Sequence, residues 1–273
     1  MADSVNPAPG FDTSVPNAAR MYDFWLGGKD NFAADREAAR RSALAVPELP
    51  RLARENRKFL GRAVRFCARA GVTQFLDIGA GLPTMESVHQ VAGQETAEPH
   101  VVYVDHDPLV ISHARALLAT PWTTAVQGDL ARPAEFLAAP EVRALIDFSR
   151  PVAVLLVAVL HFLPDEADPA GSVAQLREVM APGSYLVISH VEMGPGQVAG
   201  TEPRTGATRE LGEARQGMPP ARARSRDELA AFFEGMTQVE PGLTEVWKWR
   251  PDEDAAPAAS EVMTVVGGVG RKG

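Results

Sequence analysis

The sequence predicts an α/β fold, a doubly wound and mostly parallel sheet preceded by an N-terminal helical extension, and three observations predict it. The run Phe75-Leu76-Asp77-Ile78-Gly79-Ala80-Gly81 reads as a buried strand that ends in a glycine turn carrying an acid. Strand-like runs near 72–78, 101–105, 122–127, 152–158 and 184–189 alternate with helical patterns near 83–93, 108–119, 133–146 and 168–181. That alternation gives parallel strands joined by crossover helices. The uninterrupted apolar run Val152 to Leu160 suits a strand covered on both faces.

Taken in chain order, Tyr22, Trp25 and Leu26 share a helical face that is expected to pack on the sheet. Gly27-Gly28-Lys29-Asp30-Asn31 then ends the helix in a turn dense with polar groups, the kind of loop that carries ligand contacts more often than core contacts. From Pro47 to Gly71 the apolar residues Leu49, Leu52, Phe59, Leu60, Ala63, Val64 and Cys67 predict one long amphipathic helix. Its cationic side, Arg54, Arg57, Lys58, Arg62 and Arg65 among others, reads as a solvated face. Residues 1–70 are therefore an extension packed on the core, and 71–273 the sheet domain.

The second run, Val101 to Asp107, ends in acids. Asp105 lies at the strand tip, where open α/β sheets hold a ribose diol, and His106 follows it. Asp107 precedes Pro108 and a helical pattern, so it reads as a helix N-cap. A third run leads through Gly128 to Asp129 and Leu130, which alone would be ordinary turn residues. Beyond the fifth strand, residues 194–220 are rich in Gly and Pro and predict a long loop, either a plain connector or a segment that closes over an acceptor. Ser225 and Glu228 form a capping box for a helix that turns Leu229, Phe232 and Phe233 inward. Two strand-like runs, Leu243–Trp249 and Val262–Val266, close the chain.

With 273 residues, 45% of them hydrophobic, the chain can bury one sizeable α/β core. A net charge of −8 offers no electrostatic footprint for nucleic acid. Cys67 is the only cysteine, so no intramolecular disulfide or cysteine-based zinc site forms, and no metal is expected. Met1-Ala2-Asp3-Ser4 opens no signal peptide, and Val152–Leu160 falls far short of the ~20 residues that span a bilayer. The expectation is a soluble, cytoplasmic protein with no membrane or nucleic-acid partner and an open oligomeric state.

A glycine turn after a buried strand lets backbone approach a nucleotide closely, because glycine has no Cβ and tolerates positive φ. A dinucleotide fingerprint wants a third small residue three positions after the second glycine, and here Leu82-Pro83-Thr84 follows. That, with the absence of a Tyr-x-x-x-Lys, counts against a nicotinamide-dependent Rossmann oxidoreductase. The form Asp77-x-Gly79-x-Gly81 resembles motif I of the class I S-adenosylmethionine-dependent methyltransferases. The resemblance implies that Asp77, Gly79, Ala80, Gly81, Asp105, His106 and Ala158 bind the cofactor. It also implies that Asp129 accepts from the adenine amino group while Leu130 packs on the ring.

A more specific likeness lies in Pro16-Asn17-Ala18-Ala19-Arg20-Met21-Tyr22-Asp23-Phe24-Trp25-Leu26-Gly27-Gly28-Lys29-Asp30-Asn31-Phe32-Ala33-Ala34-Asp35-Arg36, together with Glu55-Asn56-Arg57-Lys58-Phe59-Leu60 and Gly79-Ala80-Gly81-Leu82-Pro83-Thr84. These segments closely resemble an actinobacterial family of S-adenosyl methyltransferases long classed as of unknown function, and the likeness runs from about Pro16 to Lys272. It implies a Rossmann-like, seven-stranded sheet ending in a hairpin-like strand pair, and S-adenosyl-L-methionine as cofactor. It implies no substrate.

Residues 16–36 are expected to form a lid over the cofactor's methionine end, with Arg20 and Tyr22 reaching its carboxylate or amino group; the alternative for Arg20 is a surface salt bridge. Methyl transfer is an in-line displacement that needs the acceptor ~3 Å from the methyl carbon in a water-poor site. A general base is required only where the acceptor starts protonated. His161 is the candidate because it follows the fourth strand, whose carboxyl end faces the cofactor, and its other reading is a structural histidine. His190 is a second candidate. Ala158-Val159-Leu160 lacks the Asp/Asn-Pro-Pro-Tyr pattern of methyltransferases acting on bases and glutamine, which favours O-, N- or C-methylation of a small molecule. The remaining alternative is a non-catalytic protein that binds S-adenosylmethionine or S-adenosylhomocysteine.

Overall fold

Five apolar runs of the sequence become five parallel strands: β1 (Gln74–Ile78), β2 (His100–Asp105), β3 (Thr123–Gln127), β4 (Ala153–Val157) and β5 (Tyr185–Glu192). The structure is a computed structural model and describes residues 12–192, 221–252 and 263–273. Three later strands complete the sheet: β6 (Met236–Gln238), β7 (Thr244–Glu245) and β8 (Thr264–Lys272). The order is β3-β2-β1-β4-β5-β8-β6, with β7 paired to β8 as well. The main path thus holds seven strands. β8 runs antiparallel between β5 and β6, in register Tyr185↔Arg271 on one side and Met236↔Lys272 on the other.

Neighbouring residues of a buried strand point to opposite faces, and each face here has its own core. Phe75, Val101, Tyr103, Leu155 and Val187 pack on one side with Phe59, Val64 and Trp249. Leu76, Val102, Val104, Val154, Leu156 and Ile188 pack on the other with Phe136, Leu176 and Phe233. This two-sided burial is what the unbroken apolar pattern of β4 anticipated.

Ahead of the sheet lie α1 (Ala18–Trp25), α2 (Ala33–Ala45) and α3 (Leu49–Arg69). The long α3 buries Leu52, Phe59, Leu60, Ala63, Val64 and Cys67 against the sheet. It ends in a Schellman motif, with Gly71 at φ +92°, its N–H on Ala68 O and that of Val72 on Cys67 O. Phe59 lies so close to β8 that a Cβ at Gly267 would come within 2.7 Å of its ring.

The crossover helices are α4 (Val88–Gly93), α5 (Pro108–Leu117), α6 (Pro133–Leu137), α7 (Pro140–Leu145) and α8 (Pro169–Val179), and α9 (Arg226–Ala231) follows β5. The expected helix over 133–146 is two helices, because Pro140 holds Ala139 extended at φ −60°, ψ 135°. The helix expected from residue 83 begins only at Val88, behind the N-cap Ser87. The capping box of α9 is formed, with Ser225 N–H and Oγ both on Glu228, and Leu229, Phe232 and Phe233 are buried. Of the two closing runs, the first contributes only Thr244–Glu245 as strand before turning to bury Trp247 and Trp249. The short β6 had no counterpart in the expectation. The 194–220 loop lies outside the described residues. Among the described residues, no helix is long and apolar enough to cross a membrane.

Candidate cofactor site

In a parallel sheet the carboxyl ends of adjacent strands share one edge, so the residues after β1, β2, β3 and β4 meet there. Gly79 and Gly81 both adopt positive φ, +73° and +65°. The turn is pinned to β2 by the Gly79 and Ala80 amides on Val104 O, at 2.8 and 3.2 Å. A Cβ at Gly79 would strike Val159 Cγ2 at 2.4 Å, so only glycine lets the β4 corner approach the turn. A Cβ at Gly81 would meet nothing within 4 Å; that side of the turn is open.

Asp105 is buried and its carboxylate is spread over the corner. One oxygen accepts from the Gly81 amide and the other from the Asp107 amide, each at 3.0 Å. A carboxylate has about four acceptor positions, and these amides take two of them. The exposed His106 lies with Nδ1 3.4 Å from Asp105 Oδ1. Burial raises the Asp105 pKa, opposed by the two amide bonds. Asp77, inside β1, is also buried, and desolvation pushes its carboxyl up to about 7 against the pull of the Arg57 charge.

Asp129 is half-exposed after β3; it caps its own turn at Ala131 N and pairs with Arg132, while Leu130 is buried. Ala158, directly after β4, has φ +58°, a left-handed conformation costing a non-glycine residue roughly 1–2 kcal/mol. Its amide donates to both the carbonyl and the hydroxyl of Ser189. His161 sits on the following 3₁₀ turn, buried, its ring 4.3 Å from that of Phe162 and edge-on to His190 at 5.4 Å.

His190 does not fit the role of base. Its Nδ1 donates to Val191 O at 2.7 Å, which fixes the tautomer, and Nε2 accepts from Arg224 at 2.9 Å. Burial lowers its pKa to about 4, so it is a neutral structural histidine with its one lone pair engaged.

The N-terminal segment crosses over this edge and is fastened to it through Asp23 and Asn17. Asp23, buried in α1, accepts from the hydroxyl of Thr84 in the loop after the glycine turn, and also from Asp30 N at 3.0 Å and Asn31 Nδ2 at 2.7 Å. Gly28 must be glycine here, since a Cβ would lie 1.9 Å from Asp23 Oδ1. Asn17 caps α1 and reaches Asp107 Oδ2 at 2.9 Å, while Asp107 also caps α5 at Leu109 N, the role its sequence context indicated.

Arg20 is not on the surface. It is buried against Asp35, with Nε at 2.9 Å, and donates to Val15 O. Tyr22 donates its hydroxyl to Ala53 O and accepts from Asn56 Nδ2, both at 2.9 Å. Two contributors escaped the sequence reading. Asp23 lies inside the N-terminal motif with nothing in its sequence context to mark a role, and Arg57 reads by helical phase as part of a solvated face although its charge acts on Asp77, Tyr22 and Tyr103. Helical phase alone does not show which arginine of α3 faces the sheet edge.

Among curated proteins no match was found. Solved structures include a candidate methyltransferase from Thermobifida fusca, 40% identical with a TM-score of 0.87 over 98% of this chain and 99% of that one. A DUF574-family protein from Streptomyces avermitilis is 39% identical, with a TM-score of 0.84 over 96% and 99%. At 9% identity and a TM-score of 0.52, a plantazolicin methyltransferase solved with a triazolic desmethylPZN analogue and S-adenosylhomocysteine shares the fold over 93% of this chain and 96% of that one. The S-adenosyl methyltransferase family model matches residues 4–273. With that match, and with two relatives near 40% identity along almost their whole length, the chain belongs to the S-adenosyl methyltransferase family.

Proposed function

We propose that this protein transfers a methyl group from S-adenosylmethionine to a small-molecule acceptor at the carboxyl edge of β1–β4. The observation that carries the reading is the Gly81–Asp105 contact, which joins the open side of the glycine turn to a buried carboxylate that keeps acceptor positions for a diol. The residues present fit the cofactor. Asp77, Gly79, Ala80 and Gly81 would form its cradle, Asp105 with His106 would hold the ribose, and Asp129 and Leu130 the adenine. When bound, the cofactor supplies a methyl group on a sulfonium.

The chain's own residues then have three tasks: to hold the donor, to place the acceptor in line, and to keep water out. Residues 16–36 would serve the third as a lid, supported by the Asp23–Thr84 and Asn17–Asp107 contacts. Arg20 and Tyr22 support that lid from within, since their polar groups are committed to Asp35, Ala53 and Asn56. Ala158 and His161 would face the acceptor, with His161 taking a proton from a hydroxyl or amine acceptor. A small-molecule acceptor agrees with the Ala158-Val159-Leu160 corner and the acidic balance of the chain.

The test is calorimetric binding of S-adenosylhomocysteine, followed by mass-spectrometric detection of its formation when protein and S-adenosylmethionine are incubated with small-molecule fractions. Binding lost in Asp105→Ala, with turnover in at least one fraction, is the expected result. Binding without turnover in any fraction would assign the protein to cofactor sensing, and equal affinity in Asp105→Ala would remove the site.

A further inference from the structure

One line of buried polar groups connects the N-terminal helix to the corner after β4. The Ala158 amide donates to Ser189 Oγ at 3.0 Å, and the Ser189 hydroxyl donates to Asn56 Oδ1 at 2.5 Å. Asn56 Nδ2 donates to the Tyr22 hydroxyl, which donates to Ala53 O, both at 2.9 Å. Asn56 and Ser189 are buried, at 3% and 0% exposure.

The direction of this chain is forced. An amide N–H at one end can only donate and a carbonyl at the other can only accept, so each hydroxyl and the Asn56 amide have a single workable orientation. Chains in which every donor points the same way reinforce one another in a low-dielectric interior. Asn56 is the one member that must accept on one side and donate on the other through two different atoms. Of the common side chains of this size, only a carboxamide does both at once.

We propose that Asn56 is a positioning residue that couples the docking of α1 to the left-handed conformation of Ala158, and so to the shape of the methyl-acceptor corner. The inference rests on the reading of that corner as part of the cofactor and acceptor site. Tyr22 belongs to the lid, Ser189 to β5 and Ala158 to the turn that carries His161, and α3 supplies the group that unites them. Closing the lid and setting the acceptor corner are then one event, because a chain with forced polarity is satisfied only when all its members are in place.

The experiment compares Ser189→Thr with Ser189→Val, two side chains of the same shape that differ in the hydroxyl. Amide hydrogen exchange needs no ligand: residues 18–25 are expected to exchange faster in the Val variant than in the Thr variant, although Ser189 belongs to β5 and hydrogen-bonds to Asn56 of α3. Tyr22→Phe is the reciprocal arm, expected to speed exchange at residues 157–161. It serves alone if Ser189→Val does not fold. With S-adenosylhomocysteine, the Val variant should bind about fivefold or more weakly than the Thr variant, the scale of one hydrogen bond. Equal exchange in both segments would overturn the coupling, as would equal affinities. If the unmodified protein binds no S-adenosylhomocysteine the cofactor reading fails, and the exchange comparison still decides the coupling.

Discussion

The Gly81 amide donates to the Asp105 carboxylate at 3.0 Å, so the glycine turn after β1 and the acid at the tip of β2 form a single unit. Changing either residue alters the other's surroundings. Asp105→Ala removes a charged acceptor from two backbone amides and from any diol placed there. The expected loss in S-adenosylhomocysteine affinity is about 1.5–3 kcal/mol, on the order of 10- to 100-fold in Kd. Isothermal calorimetry checks it.

Gly79→Ala and Gly81→Ala should differ although both glycines have positive φ. At Gly81 the added methyl meets nothing, so the cost is conformational, roughly 1–2 kcal/mol. At Gly79 the methyl also drives into Val159, and overpacking adds about 1–3 kcal/mol. Urea unfolding midpoints measure the difference. Because Gly81→Ala keeps most of its stability, its loss of S-adenosylhomocysteine binding reports on the cradle itself.

Burial of Asp77 should make stability fall as pH rises between about 4 and 7, while His190, lowered by burial to about 4, contributes in the opposite direction up to about 6.5. The Asp77 carboxyl holds its proton up to about 7 in the folded protein, whereas unfolded aspartate releases it near 3.8. Through that window the folded state binds more protons, so the contribution is full below the unfolded value and lost above the folded one. Asp105, also raised by burial, adds in the same direction. Asp77→Asn should remove the falling contribution, leave the rising one of His190, and raise the unfolding midpoint at pH 8. An unchanged pH profile in that variant would assign the dependence elsewhere.

Arg20→Met leaves the carboxylate of Asp35 buried without its cation. Among the described residues the Asn17 and Phe32 amides then remain on it. Breaking a buried pair in this way costs about 3–5 kcal/mol. Limited proteolysis between residues 12 and 45 should accelerate, and cofactor affinity should fall only as far as residues 16–36 are released.

Most of the sheet was legible in the sequence because β1 to β5 are continuous apolar runs, and burial on both faces leaves no other use for them. β6 was not, since three partly exposed residues carry no periodic signal and depend on β8 for their pairing. The split of α6 from α7 was written in Pro140, but the apolar spacing across it obscured the break. The glycine turn at Gly79 and Gly81, the strand-tip place of Asp105 and the helix-cap role of Asp107 were readable from position alone. Arg20 and Tyr22 were readable as important, and their contacts to Asp35, Ala53 and Asn56 were not. Whether a guanidinium faces a ligand or a buried Asp35 is decided by the fold of residues distant in sequence, and so is the choice of Arg57 over its neighbours.

The strand β8 comes after every other described element in chain order, yet it lies inside the sheet, flanked by β5 and β6. During synthesis the outer edge of β5 therefore waits, its amides and carbonyls unpaired, until residues 264–272 leave the ribosome. A nascent chain stalled before that point presents Tyr185–Glu192 as an open template for pairing with other chains. The parallel half of the molecule can be made early. Its protection from aggregation arrives only with the last strand.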